Sequence, residues 1–235
     1  MKSGFFVTGT DTGVGKTRVG TALVHGLVAR GVDVRPRKPV ESGCGTGPDG
    51  EMPLDAMALR EAAGAREALD LVCRYRLRAA VSPERAAELE GVAFDVGDLA
   101  SACDATPGSL VVVEGAGGFL SPIARGALNA DLASRLRLPV LLVAADRLGV
   151  INHALLTLEA IAARGLAVAG IVLSRTQAVV DPVPMDNARD LARWSGLPVH
   201  VLAHGETSGA GARALDAARL EALVTHLAQL ASAQR

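Results

Sequence analysis

Gly9-Thr10-Asp11-Thr12-Gly13-Val14-Gly15-Lys16-Thr17 sits between a short apolar run, Gly4–Thr8 (GFFVT), and a stretch with apolar residues at Val19, Leu23, Leu27 and Val28. The run reads as a strand, and the spacing after Thr17 as a helix that Gly31 ends. A strand, a Gly-rich loop, Gly-Lys-Thr and a helix together make a phosphate cradle. The N–H groups of the loop (Thr12, Gly13, Val14, Gly15) and of the helix start face the anion. Lys16 reaches the β/γ oxygens, and the Thr17 hydroxyl can ligate Mg²⁺. The strict pattern has Gly where Thr10 stands, and here the glycine comes one residue earlier, at Gly9. The competing reading is a tight βα turn whose glycines serve backbone geometry alone.

Outward from this loop the chain alternates β-branched runs with longer Ala/Leu/Arg stretches. Further strands are predicted at Val32–Val34, Ser109–Val113, Val140–Ala144, Val168–Leu173 and Val199–Leu202. Helices are predicted from Pro53, a favoured first-turn residue, to about Ala63, and from Ser82-Pro83-Glu84 with Ser82 as cap. Others are expected at Asp95–Ala102, Ala130–Leu136, Ile151–Ala163, Met185–Trp194 and Ala212–Ala231, with Cys44–Gly50 as a loop. Strand–helix alternation implies βαβ units. The expected fold is α/β, a single P-loop NTPase-type domain over residues 1–235, with a mostly parallel sheet covered by helices on both faces. In such sheets ligands bind beyond the carboxyl ends of the strands.

Composition removes several classes. With 49% apolar and 21% charged residues among 235, the chain is no disordered polymer. A formal charge of −1 argues against general affinity for nucleic acid or acidic membranes. No apolar run approaches the ~18–20 residues of a spanning helix, and the first residues are too little apolar for a signal peptide. Cys44, Cys73 and Cys103 are odd in number and lack metal-ligand spacing, so they read as reduced thiols of a cytoplasmic protein.

Of the 24 basic residues only Lys2, Lys16 and Lys38 are Lys. A chain that uses Arg elsewhere keeps Lys where a compact three-donor ammonium is needed. Lys38, in Lys38-Pro39-Val40-Glu41-Ser42-Gly43 just past the second strand, is therefore a functional candidate. Glu114 ends the apolar run Leu110–Val113, where a Mg²⁺ ligand is expected in a phosphate-binding sheet. Gly115, Ala116 and Gly117 behind it allow close approach of a nucleotide. Asp55, in the first turn of its helix, reads on its own as an acid placed against the helix dipole. Asn152, one of three Asn, is either a helix-start residue or a specific hydrogen-bonding group. His25, His200, His204 and His226 read as structural or surface residues, and Tyr75 and Trp194 as packing residues.

Taken together the segments resemble the dethiobiotin synthetase family. The likeness rests on VTGTDTGVGKT (Val7–Thr17), KPVESG (Lys38–Gly43), Asp55 with Ala56, SPERAAELEG (Ser82–Gly91), VEGAGG (Val113–Gly118) and INHALLTLEAI (Ile151–Ile161). The resemblance implies an ATP-dependent ring closure of 7,8-diaminopelargonate with CO₂, through a carbamate and a carbamic-phosphoric anhydride. Thr17, Asp55 and Glu114 would hold Mg²⁺, and Lys16 and Lys38 would be the catalytic cations. Thr12, Lys38 and Ser42 would hold the diamine and its carbamate. Family members are homodimers, and Asn152 would bind the substrate carboxylate across the interface. Two places depart from the pattern. The adenine-reading Asn expected after Gly170–Leu173 is Ser174, followed by Arg175, and the segment after the last strand is Val201-Leu202-Ala203. Both fall in the base pocket and leave the nucleotide preference open. A corrinoid-type amidating enzyme would need a glutaminase domain. A partition-type ATPase would carry an extra Lys early in the loop, where Thr10-Asp11-Thr12 stands.

Overall fold

The computed structural model describes residues 3–48, 50–175, 185–203 and 210–234. Its elements in chain order begin with β1 (Ser3–Gly9), α1 (Lys16–Val28), β2 (Val34–Arg37), β3 (Val40–Ser42), β4 (Gly45–Gly47), β5 (Gly50–Met52) and α2 (Leu54–Ala62). Then come α3 (Leu69–Val72), β6 (Tyr75–Leu77), α4 (Pro83–Glu90), α5 (Val96–Ala102), β7 (Leu110–Gly118), β8 (Pro122–Ala124) and β9 (Ala127–Leu128). The chain closes with α6 (Asn129–Leu136), β10 (Val140–Ala145), α7 (Val150–Ala162), β11 (Val168–Ser174), α8 (Asn187–Ser195), β12 (Val199–Leu202) and α9 (Ala210–Ala233).

Six strands pair in the order β12-β11-β10-β1-β7-β2, every neighbouring pair parallel. Successive side chains of β1 point to opposite faces, and both are apolar, as a sheet covered on two sides requires. Phe5 and Val7 pack with Val19, Leu23 and Leu27 of α1, Leu59 of α2 and Leu223 and Leu227 of α9. Phe6, Val111 and Val113 pack on the other face with Leu99 of α5, Leu132 of α6 and Ile161 of α7. Truncating a fully buried Leu such as Leu23 to Ala would cost about 2–5 kcal/mol. The expected α/β fold with helices on both faces is the one observed.

Several local expectations need correction. The second strand runs Val34–Arg37 rather than Val32–Val34, because it pairs with Leu110–Val113 of β7 and continues to the site. β7 extends through Gly118, so Glu114 lies inside a strand instead of after it. Cys44–Gly50 holds most of a small hairpin, β4 with β5, rather than a plain loop. Pro53 is the N-cap of α2, and the helix starts at Leu54. Ser82 occupies the N-cap of α4, but its side chain makes no capping bond. Side-chain caps are found instead at α5, where Asp95 accepts from Gly97 and Asp98 and Asp98 accepts from Asp95, and at α8, where Asp186 accepts from Arg189. Tyr75 packs as expected, stacked on Phe94 at 4.4 Å between ring centroids. Trp194 does not pack: it is 65% exposed, with the Arg193 guanidinium over its ring. His200 and His226 face each other at 5.5 Å. His204 lies outside the described residues.

Candidate active site

The loop after β1 closes on itself tightly. A Cβ on Gly9 would come within 2.7 Å of a Val14 methyl and 2.8 Å of the Asp11 carbonyl oxygen. The glycine displaced from the strict motif therefore serves loop closure at its new position. Gly15 is the N-cap of α1 at φ 93°, a left-handed conformation that L side chains adopt at a cost. Lys16 follows and folds back over the loop, its ammonium donating to the Asp11 carbonyl at 3.0 Å. Burial, then the nearby Lys38 charge, pull Lys16 down to about 8, against the opposing pull of Glu114, Asp55 and Asp11. Such a cation gains strongly from an incoming anion.

Lys38 leaves the end of β2 and is 3% exposed. Its ammonium meets Glu114 Oε1 at 2.6 Å, the Gly115 carbonyl at 3.2 Å and Asp55 Oδ2 at 3.3 Å. The three donors of an ammonium match these three acceptors. Burial acts to lower Lys38, but Glu114 and Asp55 outweigh it and hold the group above its ordinary value. Thr17 Oγ1 donates to the same Glu114 oxygen at 2.9 Å. The other Glu114 oxygen is buried with no hydrogen-bond partner among the described residues.

Lys16, Thr17, Lys38 and Asp55 open onto a cleft of about 610 Å³ beyond the carboxyl ends of β1, β2 and β7, whereas Glu114 and Gly115 lie behind its lining. Thr12, Gly13, Gly15, Lys16 and Thr17 line one side, and Ala116 and Gly117 another. Lys38, Glu41, Ser42 and Asp55 line a third part, and Ala80, Val81, Pro83 and Pro122 give a mostly apolar stretch interrupted by Ser82 and Ser121. Ser42 donates to the Val81 carbonyl at 2.6 Å, joining β3 to that stretch. Most sequence-predicted residues therefore meet in one place. Val14 does not line the cleft, its side chain being buried in the core. Asn152 is exposed at the first turn of α7 and does not line the cleft. Ser174 and Arg175 lie at the end of β11, also outside it. Ser174 Oγ is buried without a partner among the described residues, and Arg175 is paired to Asp146 at 2.8 Å.

Four contributors were not singled out from sequence. Arg18 lines the cleft and donates to the carbonyls of Arg175 and Ala203, joining α1 to the ends of β11 and β12. Ser121 lines the cleft and accepts from Gly118 N–H. Asn129, wholly buried, accepts from Ala116 N–H and donates to the Ala116 and Gly118 carbonyls, fixing the glycine turn. Glu41 accepts from the N–H groups of Asp55 and Ala56. The count of three Asn was a usable signal for Asn129; the others gave none.

A hydroxyl and two carboxylates are hard oxygen donors, too few for an all-protein cage. That set fits Mg²⁺, which keeps several waters and shares phosphate oxygens. Among the described residues no cluster of three or more His, Cys, Asp or Glu is placed to hold a metal.

A Gly-rich loop and Lys16 at the start of α1, on a parallel sheet, define a P-loop nucleotide-binding protein. A sequence-family model described as an AAA domain matches residues 3–204. The ATP-dependent dethiobiotin synthetase of Anaeromyxobacter dehalogenans is 48% identical over 192 residues, spanning 81% of this chain and 84% of that protein. The synthetase of Rhodopirellula baltica is 40% identical over 213 residues, spanning 85% and 83%. The chain belongs to the dethiobiotin synthetase family. Among solved structures, the cell division ATPase MinD of Pyrococcus furiosus is a distant likeness at 16% identity and a TM-score of 0.49, with 97% of this chain and 99% of that one covered.

Proposed function

We propose that this chain, as one domain over residues 1–235, carries out the ATP-dependent carboxylation and ring closure of 7,8-diaminopelargonate with CO₂, giving dethiobiotin, ADP and phosphate. The observation that carries the reading is the convergence of Lys16 and Lys38 on one cleft that Ala80, Val81, Pro83 and Pro122 also line. The charged end suits a triphosphate and a carbamate, and Ala80, Val81, Pro83 and Pro122 suit the aliphatic chain of the diamine. A partition-type switch would carry its extra Lys early in the loop, where Thr10-Asp11-Thr12 stands, whereas here the second Lys follows β2.

One amine takes up CO₂ and loses a proton to become a carbamate. A carbamate oxygen attacks the γ-phosphorus of ATP, the bond to the β-phosphate oxygen breaks, and ADP leaves. The second amine attacks the carbamoyl carbon of the mixed anhydride, the ureido ring closes, and phosphate departs with the bonding pair. Two anions must meet, so positioning and fixed charge supply most of the catalysis. Lys16 neutralises the β/γ oxygens, and Lys38 stands where the carbamate meets the γ-phosphoryl group. Thr12 and Ser42 hold the diamine end. Thr17, Asp55 and Glu114 would hold Mg²⁺, which when bound offsets charge on the phosphates. The exposed Asn152 fits a homodimer in which it reaches the substrate carboxylate in the partner copy's cleft. Ser174 and Arg175 border the base, which gives the nucleotide pocket its departure from the family pattern. The enzyme acts in the cytoplasm, with Cys44, Cys73 and Cys103 as free thiols.

Phosphate release by the purified protein tests the reading. It should require the diamine, bicarbonate and Mg²⁺ jointly. Diamine-independent ATP hydrolysis stimulated by DNA or lipid would replace it with a switch ATPase.

A further inference from the structure

Glu41 is a buried carboxylate that the reaction above does not use. It sits in β3, three residues after Lys38 and one before Ser42, and is 6% exposed. One of its oxygens accepts from Asp55 N–H at 3.0 Å and the other from Ala56 N–H at 2.9 Å. Those amides belong to the first turn of α2, whose N–H groups have no partner within the helix. The N-cap of α2 is Pro53, and it makes no side-chain capping bond. The acceptor that an N-cap Ser or Asp would ordinarily supply comes instead from a strand 14 and 15 residues earlier in sequence. Burial lifts the Glu41 carboxyl above its ordinary value, against the pull of Lys38 and the two amides.

The consequence lies one side chain away. Asp55 carries one of the gripped amides, and its carboxylate reaches Lys38 at 3.3 Å with 44% of its side chain exposed. An exposed side chain on a helix's first turn is free to swing and fray unless its backbone is fixed. Glu41 fixes that backbone to the strand that follows Lys38. We propose that Glu41 is a positioning residue, gripping the first turn of α2 so that the Asp55 carboxylate is held at the Lys38–Glu114 cluster, where Mg²⁺-nucleotide is expected. A cap serving the fold alone would predict a loss of stability without a specific link to Asp55.

This rests on reading the cleft as a Mg²⁺-nucleotide site, so the deciding readouts are MgADP binding and amide exchange, neither of which needs the diamine. Four full-length proteins are compared: wild type, Glu41→Gln, Asp55→Asn and the double variant. Calorimetry of ADP at increasing Mg²⁺ gives the Mg²⁺ half-saturation of each. Glu41→Gln keeps the shape of Glu41 but turns one acceptor into a donor. It should raise the half-saturation about tenfold, yet change it less than about twofold when Asp55 is already Asn, since residues acting through one another are not additive. In the same single variant, without metal or nucleotide, exchange of the Asp55 and Ala56 amides should speed up while the β1 and β7 amides stay slow. Phosphate-release kinetics at saturating Mg²⁺ should show turnover within about threefold of wild type, because the defect lies in metal capture. Should Glu41→Gln not fold, Glu41→Asp, shorter by one methylene, takes its place with the same expected pattern. Equal effects of Glu41→Gln in both backgrounds, or unchanged exchange at the two amides, overturns the proposal. Failure of wild type to bind MgADP would instead remove the nucleotide reading beneath it.

Discussion

Removing the Lys38 ammonium while keeping its bulk, as in Lys38→Met, should destabilise the fold and stop turnover together. The wild-type ammonium satisfies Glu114, Asp55 and the Gly115 carbonyl at 2.6–3.3 Å. Asp55 is 44% exposed and can turn to water, so its share is small. The Glu114 side chain is 0% exposed. Without Lys38 it keeps only the Thr17 hydroxyl, and one of its oxygens is already unpartnered. Breaking a buried pair by deleting one partner costs about 3–5 kcal/mol, to which an unpaired Gly115 carbonyl adds about 1 kcal/mol. A loss of about 5 kcal/mol in urea unfolding at neutral pH is the expected outcome. Lys38→Arg separates charge from shape. It preserves a cation, so stability should fall by less than half as much. Its planar fork cannot set three acceptors around one nitrogen, so turnover should drop below about a tenth of wild type, at least 1.4 kcal/mol of barrier. Lys38→Met within about 1 kcal/mol of wild type would refute the pairing account. Lys38→Arg with near-normal turnover would reduce Lys38 to general electrostatic attraction.

Asp55→Ala should cost at most about 1 kcal/mol of stability while raising the Mg²⁺ requirement of phosphate release; unchanged Mg²⁺ dependence would leave Asp55 as a helix-dipole acid. Asn129→Ala should cost about 2–3 kcal/mol by urea unfolding, because the Ala116 N–H and the Ala116 and Gly118 carbonyls lose a buried partner; a loss under 1 kcal/mol would mean the glycine turn holds itself. Ser174 offers one short hydroxyl where an amide could pair both ways with a base edge, so competition assays should show ATP preferred over CTP and GTP by less than about a hundredfold. Burial, with His226 beside it, holds His200 below its ordinary value of 6.5. The unfolded chain then takes up the proton first as pH falls, and the fold loses stability progressively below about 6.5. His200→Gln should flatten that decline, and identical slopes in the two proteins would remove His200 as its source.

Much of the site was legible because its chemistry sits in local sequence. The loop Gly9–Thr17 carries its own geometry, and Lys38 stood out against a chain that otherwise uses Arg. The structure supplies the reason for that retention, three acceptors at one nitrogen. What was illegible came from pairings distant in sequence. β2 extends to Arg37 because β7 lies beside it, and no periodicity within Val32–Arg37 states that. Glu114 sits inside β7 because the strand continues through four residues, three of them glycine, that no propensity would place there.

Asp55 shows how the two kinds of information divide. Taken alone, its position in a helix's first turn supports nothing beyond a favourable dipole contact. Resemblance could nominate it as a metal ligand but could not say what aims it. The answer lies in Glu41, 14 residues earlier, on a strand whose neighbour β6 is 33 to 37 residues further along. Local sequence writes the cations Lys16 and Lys38 directly, since each needs only a strand end and a turn. The carboxylates that complete the site arrive through long-range contacts: β7 beside β1 for Glu114, and β3 against α2 for Asp55. In the proposed reading, phosphate binding is fixed by one loop, whereas metal capture and the meeting of carbamate with phosphoryl depend on the whole sheet being assembled. Conservative changes at Glu41, at the edge of the cleft, or at Asn129, buried beneath the glycine turn, should therefore disturb the charged end of the cleft while the loop Gly9–Thr17 still binds phosphate.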